Sequence, residues 1–134
     1  MSYKYVPLTR KEQSWVVETI VAETDRDRRV LVVAEQVSEA GYVAYVAAGE
    51  LARNRTTWLT GGNHDPATIK LSGRFAAMFC ARRSVARRAA DVKVDTVILC
   101  PRVVLSDEAK EVCIAACADS PLPRFIKYPT AKAA

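Results

Sequence analysis

Two periods alternate in the hydrophobic pattern of this chain. Between residues 10 and 23, apolar residues recur at the spacing of a helix that buries one side. Thr9 and Glu12 fit a capping box, in which each side chain bonds to the backbone of the other residue, so this helix is predicted to begin after Thr9. Residues 30–34 then form a continuous apolar run, which is typical of a strand buried on both faces in a parallel sheet.

A second helix is predicted over residues 39–53, with Ser38 as its N-cap. Its side chains are apolar nearly all round and include Tyr42, Val43 and Tyr45. A helix of this kind lies deep in a core or in an interface. The pattern leaves both possibilities open.

The remaining elements follow at shorter intervals. Strands are predicted at residues 56–60, 67–71, 74–80, 94–99 and 125–128, and helices at residues 82–90 and 106–118. Ser72 and Gly73 favour a turn, so the third of these strands is expected to return beside the second. Ser106 is predicted to cap the last helix.

The order of these elements predicts an α/β fold. Buried strands that alternate with helices are typical of a largely parallel sheet with helices on both faces. The 134 residues have the length of one domain, and no linker divides them, so we predict a single domain over residues 1–134. Residues 1–8 and 129–134 are expected to be flexible.

Composition and charge narrow the functional classes only slightly. Half of the residues are apolar and 26% are charged, as in ordinary globular proteins. The apolar runs are far shorter than the roughly 20 residues of a membrane-spanning helix, and the first residues lack the apolar region of a signal peptide. We therefore expect a cytoplasmic protein without a membrane partner. The formal net charge of +5 permits an anionic partner without requiring one.

The four cysteines form no CxxC pair, so we expect reduced thiols. Cys113 and Cys117 lie four residues apart on the last predicted helix, on one face, which would suit half of a metal site. That face is otherwise apolar, which favours a buried stripe instead. A third ligand would have to come from Cys80, Cys100 or His64. No spacing supports one, so we predict neither a metal nor a cofactor.

The single histidine stands in a glycine-rich loop. His64 is followed by Asp65, whose carboxylate could orient the imidazole ring as in a catalytic pair. This pair is the basis for a small hydrolase or transferase hypothesis, although the chain has no GxSxG nucleophile motif. A solvated loop histidine is the alternative. Gly61 and Gly62 lack the spacing of a phosphate-binding loop and are interpreted as a turn.

A short basic segment is the candidate nucleic-acid-binding site. It places Arg82, Arg83, Arg87 and Arg88 within seven residues. In a helix here, Val85 and the alanines would face inward, whereas the last three arginines would project outward. The guanidinium fork binds phosphate through two hydrogen bonds, which suits these side chains to nucleic acid. A charged surface that contacts only solvent is the alternative.

The order of several segments carries a family resemblance. These segments are RVLVVAEQVSEAGYVAYVAAGELAR, ATIKLSGRFAAMFCARRSVARRAADVKVDTVIL, the helix at residues 106–118 and the final RFIKYPTA. Together they resemble the ATPase domain of phage terminase large subunits, the DNA-packaging motors, and more broadly the first RecA-like domain of helicases. The resemblance covers roughly residues 29–131. It implies a RecA-like or Rossmann-like three-layer fold, with the strand at residues 30–34 beside the strand at residues 94–99.

Two departures from that family concern its nucleotide chemistry. Residues 24–29 stand where the lysine-bearing phosphate loop is expected, and they contain neither glycine nor lysine. Cys100 and Pro101 stand where the family has an acidic pair, and neither supplies the hard oxygen ligands that Mg²⁺ prefers. The resemblance therefore implies a degenerate ATPase domain.

Three functional hypotheses remain open. The first is a non-enzymatic phage-type protein that binds nucleic acid through the four arginines, or binds a protein partner. The second is a virion structural or assembly protein, such as a head–tail component, in which the second helix contacts a partner or another copy of the chain. The third is the small hydrolase that uses His64 and Asp65. A viral protein of this kind would lie in the host cytoplasm or in the virion.

Overall fold

The computed structural model describes residues 5–61 and 66–129. Its helices are α1 (Arg10–Asp25), α2 (Val37–Leu51), α3 (Val85–Arg88) and α4 (Asp107–Ala116). Its strands are β1 (Val30–Ala34), β2 (Thr57–Thr60), β3 (Ala67–Leu71), β4 (Arg74–Ala81), β5 (Thr96–Leu99) and β6 (Arg124–Lys127). The elements follow one another in the predicted order, and most of their ends lie close to the predicted ones.

The strands form one mixed sheet in the order β2-β3-β4-β1-β5-β6. The strands β4, β1, β5 and β6 run parallel to one another, and β2 and β3 extend the sheet antiparallel beyond β4. All five residues of β1 are buried, as its continuous apolar run predicts. The strands β1 and β5 are parallel neighbours. The α/β fold with a mostly parallel sheet is confirmed.

Helices lie on both faces of this sheet. Successive residues of β1 and β5 point to opposite faces and are nearly all buried, so both faces must be covered at the centre of the sheet. α1 packs against α2, and α3 packs against α4. The two pairs therefore cover opposite faces, with α2 extending over β3 and β4. The core lies in two layers on either side of the central strands.

Two of the three predicted helix caps are confirmed. The Thr9 hydroxyl accepts a hydrogen bond from the Glu12 amide at 3.1 Å, and the Glu12 carboxylate accepts one from the Thr9 amide at 2.9 Å. The Ser106 hydroxyl accepts a hydrogen bond from the Ala109 amide at 3.1 Å. Both arrangements satisfy amides that have no partner within the first helical turn.

The predicted start of α2 at Ser38 is wrong. The helix begins at Val37, and its N-cap is Gln36, which makes no side-chain capping bond. A long-range contact explains the difference. The Glu39 carboxylate accepts hydrogen bonds from the Glu35 amide at 3.3 Å and from the Tyr5 hydroxyl at 2.5 Å, which holds the chain in a helical entry before Ser38.

Only one side of α2 is buried, so the first of its two predicted alternatives, a place deep in the core, does not hold. Tyr42 is 56% exposed and Tyr45 is 69% exposed, whereas Val43, Ala44 and Ala47 face the sheet. A tyrosine combines an apolar ring with a hydroxyl that can remain in water, so the apolar count overstated the burial of this helix. The interface alternative is therefore the one that stays a prediction.

The basic segment contains less helix than expected. α3 is a single turn, because the Arg82 amide donates to Ala34 at 2.8 Å and the Ser84 amide donates to Ala81 at 3.0 Å. These bonds continue the strand and then turn the chain before a helix can begin. Val85 and Ala89 are buried, as predicted, whereas Ala90 is exposed because the helix has already ended.

The predicted flexibility at the ends of the chain stays a prediction. Residues 1–4 and 130–134 lie outside the described part of the chain. Tyr5 bonds to Glu39, and the Arg102 guanidinium bonds to the carbonyl oxygens of Val6 and Pro7, both at 3.1 Å. Within residues 5–61 and 66–129, no helix combines the length and the apolar character that crossing a membrane requires.

Candidate functional site

The connections that leave β1 and β4 diverge at the carboxyl edge of the sheet. β1 leads into α2 on one face, whereas β4 leads into α3 on the other face, and the two strands are parallel neighbours. In open α/β sheets a crevice forms where neighbouring connections separate in this way, and ligands bind there. The order of the strands thus identifies a candidate site before any side chain is considered.

All four predicted arginines line the crevice at this position. The cavity has a volume of about 370 Å³, and its basic lining residues are Arg82, Arg83, Arg87 and Arg88. Arg82 forms an ion pair with Glu35, the residue that follows β1. Arg83, Arg87 and Arg88 are exposed. The crevice therefore presents four guanidinium groups against one lining carboxylate.

The amino end of α2 also borders the crevice. Gln36 and Val37 belong to its lining; the Gln36 side chain makes no capping bond, but the Glu39 carboxylate of the first turn accepts a hydrogen bond from the Glu35 amide. The amino end of a helix carries a partial positive charge and amides that lack an intrahelical partner. Because the Glu39 carboxylate opposes that partial charge, the arginines supply the positive charge of a surface that suits an anion such as phosphate.

The comparisons with known proteins add no relative to this picture. No family model, curated protein or solved structure matches the chain. The geometry of the described residues must therefore support any functional conclusion.

The second position of interest is the end of β5, where Cys100 and Pro101 stand at the position at which the resemblance would place an acidic pair. A cavity of about 490 Å³ opens there and is lined in part by Arg102, Lys127 and Tyr128. The Cys100 side chain is buried, and burial raises the pKa of its thiol far above the ordinary value. In the part of the chain that the structure describes, no three Asp, Glu, His or Cys side chains are grouped so that they could hold a metal ion.

Glu12 is the carboxylate at this second cavity, but it is already engaged. Its Oε2 atom lies 2.8 Å from the Arg102 guanidinium, and this hydrogen bond holds the pKa of Glu12 below its usual value. The acid near the opposite end of β5 is engaged as well. Burial raises the pKa of Asp95, but hydrogen bonds from the Arg29 backbone and side chain outweigh it and leave that pKa lowered.

A second group of arginines lies at the amino ends of β1 and β4. Arg28, Arg29, Arg55 and Arg74 line a cavity of about 380 Å³. Three of these side chains have partners within the fold: Arg28 pairs with Glu23, Arg29 pairs with Asp95, and Arg55 bonds to the Thr24 carbonyl. We therefore interpret this group as mainly structural, in contrast to the exposed arginines at the carboxyl edge.

All four cysteines belong to the core, and the buried-stripe interpretation of Cys113 and Cys117 is confirmed. Cys80, Cys100, Cys113 and Cys117 are each at most 3% exposed. Burial raises the pKa of Cys113 to about 11 and also raises the pKa of Cys117. A thiol in such surroundings remains protonated near neutral pH and acts as a small hydrophobic side chain.

We expect the four thiols of the native protein to resist a disulfide reagent such as dithionitrobenzoate, because only an accessible thiolate reacts. All four should react at once after unfolding in urea. The measurement is the number of thiols titrated at pH 8 with and without denaturant. A thiol of the native protein that reacts as fast as free cysteine would contradict the burial described above.

His64 and Asp65 lie outside the described residues, so the hydrolase hypothesis stays a prediction. The turn interpretation of the glycine pair gains support at Gly61, whose φ is +88°. A Cβ atom added there would lie 2.5 Å from the Pro66 carbonyl oxygen. Only glycine combines that backbone conformation with that close approach.

The sequence contains a further signal that motif analysis missed. Residues 55–90 carry seven of the 20 basic residues but only one of the 15 acidic ones, Asp65. This segment thus has a formal charge of +6, whereas the whole chain has +5. It contains the four arginines of the crevice and also Arg55, Lys70 and Arg74. Counting charge by segment would have extended the candidate surface from α3 to the strands before it.

Proposed function

We propose that this protein is a non-enzymatic nucleic-acid-binding domain that contacts phosphate groups through the arginines at the carboxyl ends of β1 and β4. The observation that carries the proposal is the gathering of Arg82, Arg83, Arg87 and Arg88 around one crevice. That crevice lies where the connections of two parallel strands diverge. It has one lining carboxylate, on Glu35, and that group is paired with Arg82.

The arginines differ in role under this proposal. The ion pair between Arg82 and Glu35 joins the ends of β4 and β1 and keeps the crevice in shape. Arg83 and Arg87 extend into solvent, where each fork can bind one phosphate with two hydrogen bonds. Contacts of this kind position a nucleic acid without reading its sequence, so we expect binding with little sequence preference and a strong dependence on salt.

The degenerate motor is part of the same proposal. We infer that this is a phage-type protein whose domain is related to terminase and helicase ATPases and binds nucleic acid without hydrolysing nucleotide. The adjacency of β1 and β5 supports that relation. The replacement of the acidic pair by the buried Cys100 and Pro101 supports the loss of hydrolysis, because Mg²⁺ in such sites is held by carboxylate oxygens.

The double variant Arg83→Ala/Arg87→Ala tests the proposal. Removing two phosphate contacts is expected to weaken binding to a fluorescent oligonucleotide by about tenfold or more at low salt. The slope of log K against log salt should also become shallower, by about 1.4–1.8. Fluorescence anisotropy at several salt concentrations measures both quantities.

The matched control is Arg10→Ala/Lys110→Ala, which removes the same charge from one exposed position on α1 and one on α4. Its affinity and salt slope should remain close to those of the parent. Equal losses in both variants would mean that only net charge matters and would contradict a site at the crevice. Turnover of ATP by the purified parent protein would contradict the non-enzymatic part of the proposal.

A second candidate function rests on α2. Its exposed Tyr42 and Tyr45 favour the hypothesis of a virion or assembly protein, because tyrosine is enriched in protein interfaces. That hypothesis requires association with another chain, which sedimentation of the purified protein detects for self-association. A monomer at high concentration would count against an assembly built from this chain alone.

A further inference from the structure

One face of the antiparallel part of the sheet is open in the described structure. β2 and β3 are buried only on alternate positions: Ala67, Ile69 and Leu71 point toward α2, whereas Lys70 is exposed and Thr68 is partly exposed. On β2, Trp58 and Thr60 are exposed in the same alternation. On the face of the sheet opposite α2, the helices α3 and α4 cover only the parallel strands. The result is a surface of side chains without a covering layer.

Trp58 is the dominant side chain on this face. It is 64% exposed on an edge strand, directly opposite Lys70 in the register of β2 and β3. Among residues 5–61 and 66–129, its indole has no ring partner and Lys70 has no ion pair. The other tryptophan behaves differently, since Trp15 packs edge-on against Tyr128 at 5.1 Å between ring centroids. An exposed tryptophan on an uncovered face is a candidate contact for a ligand, because its ring offers a large apolar surface and a polar N–H.

The charge and polarity of this face indicate what covers it. β2, β3 and β4 contain no acidic residue, and they lie in the segment of the chain that has a formal charge of +6. Besides Trp58, the face carries Thr60, Thr68 and Lys70, together with the partly buried Phe75 and Met78, which lie opposite Lys70 and Thr68. The exposed side chains of β2 and β3 on this face are Trp58, Thr60 and Lys70, and the centre of a protein interface is usually depleted of such a charge. A single exposed ring among hydroxyl groups and a cation complements a ligand that is both aromatic and anionic.

We infer that this face binds single-stranded nucleic acid, with an unpaired base stacked on Trp58 and a neighbouring phosphate at Lys70. The inference rests on the proposed function and names the form of nucleic acid. A duplex is excluded as the ligand of this face because its bases already stack on one another and expose only their edges. Stacking of bases on aromatic side chains is the general mode by which proteins hold unpaired strands.

The open face and the arginine crevice are placed so that one strand can contact both. Lys70 lies opposite Phe75 near the start of β4, and the arginines follow the end of the same strand. The seven-residue step from Phe75 to Arg82 spans about 23 Å at the rise of a β-strand. An oligonucleotide of about eight nucleotides is long enough to contact both sites, within the usual site size of single-strand-binding domains.

The test compares binding of a labelled 12-nucleotide oligo(dT) with binding of a 12-base-pair duplex to the parent and to three variants. Trp58→Ala should weaken binding of the single strand by at least about fivefold, since base stacking is a major part of such affinity. Trp58→Phe should retain most of the affinity, because it keeps an aromatic face. The control Tyr45→Ala removes an equally exposed ring from the opposite side of the domain and should have no effect.

A spectroscopic signal keeps the test valid even if the Trp58→Ala protein does not fold. Binding of oligo(dT) should quench tryptophan emission in the parent, and the quench should disappear in Trp58→Phe, in which Trp15 is the only remaining tryptophan. If Trp58→Ala fails to fold, this signal still decides, because it requires only the parent and the Trp58→Phe protein. An unchanged quench in Trp58→Phe would overturn the inference.

Other outcomes separate this inference from the proposed function. If Trp58→Ala binds like the parent while Arg83→Ala/Arg87→Ala has lost affinity, the open face is not the site and the crevice remains. If the parent is a dimer that Trp58→Ala dissociates, the face serves self-association and the inference is overturned. If the parent binds neither single strand nor duplex, both proposals fail.

Discussion

Replacing Glu23 with alanine is expected to lower the free energy of unfolding by about 3–5 kcal/mol, the usual loss when one member of a buried ion pair is removed. Glu23 lies near the end of α1 and is 2% exposed. Its Oε1 atom accepts hydrogen bonds from Arg28 at 3.1 Å and from Thr96 at 2.6 Å. Its Oε2 atom accepts one from Arg124 at 3.0 Å. The carboxylate thus joins α1, β5 and β6.

Most of the expected loss comes from the partner that would remain. The side chain of Arg28 is only 16% exposed, and it also donates to the carbonyl oxygens of Asp95, at 2.7 Å, and Leu122. Without Glu23, this guanidinium would keep its charge in a place that water barely reaches. Arg124 adds less, because its side chain is 44% exposed and is screened by solvent.

Urea unfolding followed by circular dichroism measures this effect. The matched control is Glu18→Ala on the exposed side of α1, which should change stability by no more than about 0.5 kcal/mol. A Glu23→Ala protein as stable as the Glu18→Ala control would show that the network contributes nothing. The hydrogen bonds around Glu23 would then result from the fold without stabilising it.

The variant Phe79→Ala is expected to lose about 3–5 kcal/mol through the cavity that it leaves. Phe79 is the largest fully buried side chain of the described residues. It lies on β4 between Val32 of β1 and Ala67 of β3, so it packs where the parallel and antiparallel parts of the sheet meet. The strands on either side of Phe79 are themselves paired with further strands, so they can collapse only partly into the cavity that the missing ring leaves.

The comparison is Phe125→Ala, which removes the same ring from β6, where it is 48% exposed. Because much of that ring already contacts water, its loss should cost about 1–2 kcal/mol. Both variants are measured in the same urea titration. Similar losses at the two positions would contradict the conclusion that the core is centred on β4 and β1.

The predictions made from local sequence pattern were accurate where interactions between residues close in the chain determine the secondary structure. The run at Val30–Ala34 is buried on both faces of the sheet, and the box formed by Thr9 and Glu12 begins α1. Both follow from periodicity and from bonds within four residues. The error at α2 has the opposite cause: Tyr5 and Glu39 meet across 34 positions of the chain, which no local pattern contains.

For the candidate site, the sequence identified the residues but not their surroundings. The four arginines stand close together in the chain, so their grouping was visible. Their crevice was not, because it depends on the adjacency of β1 and β4 and on the ion pair of Arg82 with Glu35, which lie 47 positions apart. Trp58 was taken only as part of a strand, because its exposure depends on which face α2 covers.

The sequence by itself determined the elements, their order and the positive charge of residues 55–90, since hydrophobic periodicity, caps and charge are properties of neighbouring residues. Only the tertiary structure decided that β1 lies between β4 and β5, that Glu23 is enclosed by Arg28, Thr96 and Arg124, and that one face of β2 and β3 remains open. The physical reason is that strand pairing and helix packing minimise exposed apolar surface over the whole chain at once. The choice of neighbours is therefore made between segments that are far apart in sequence.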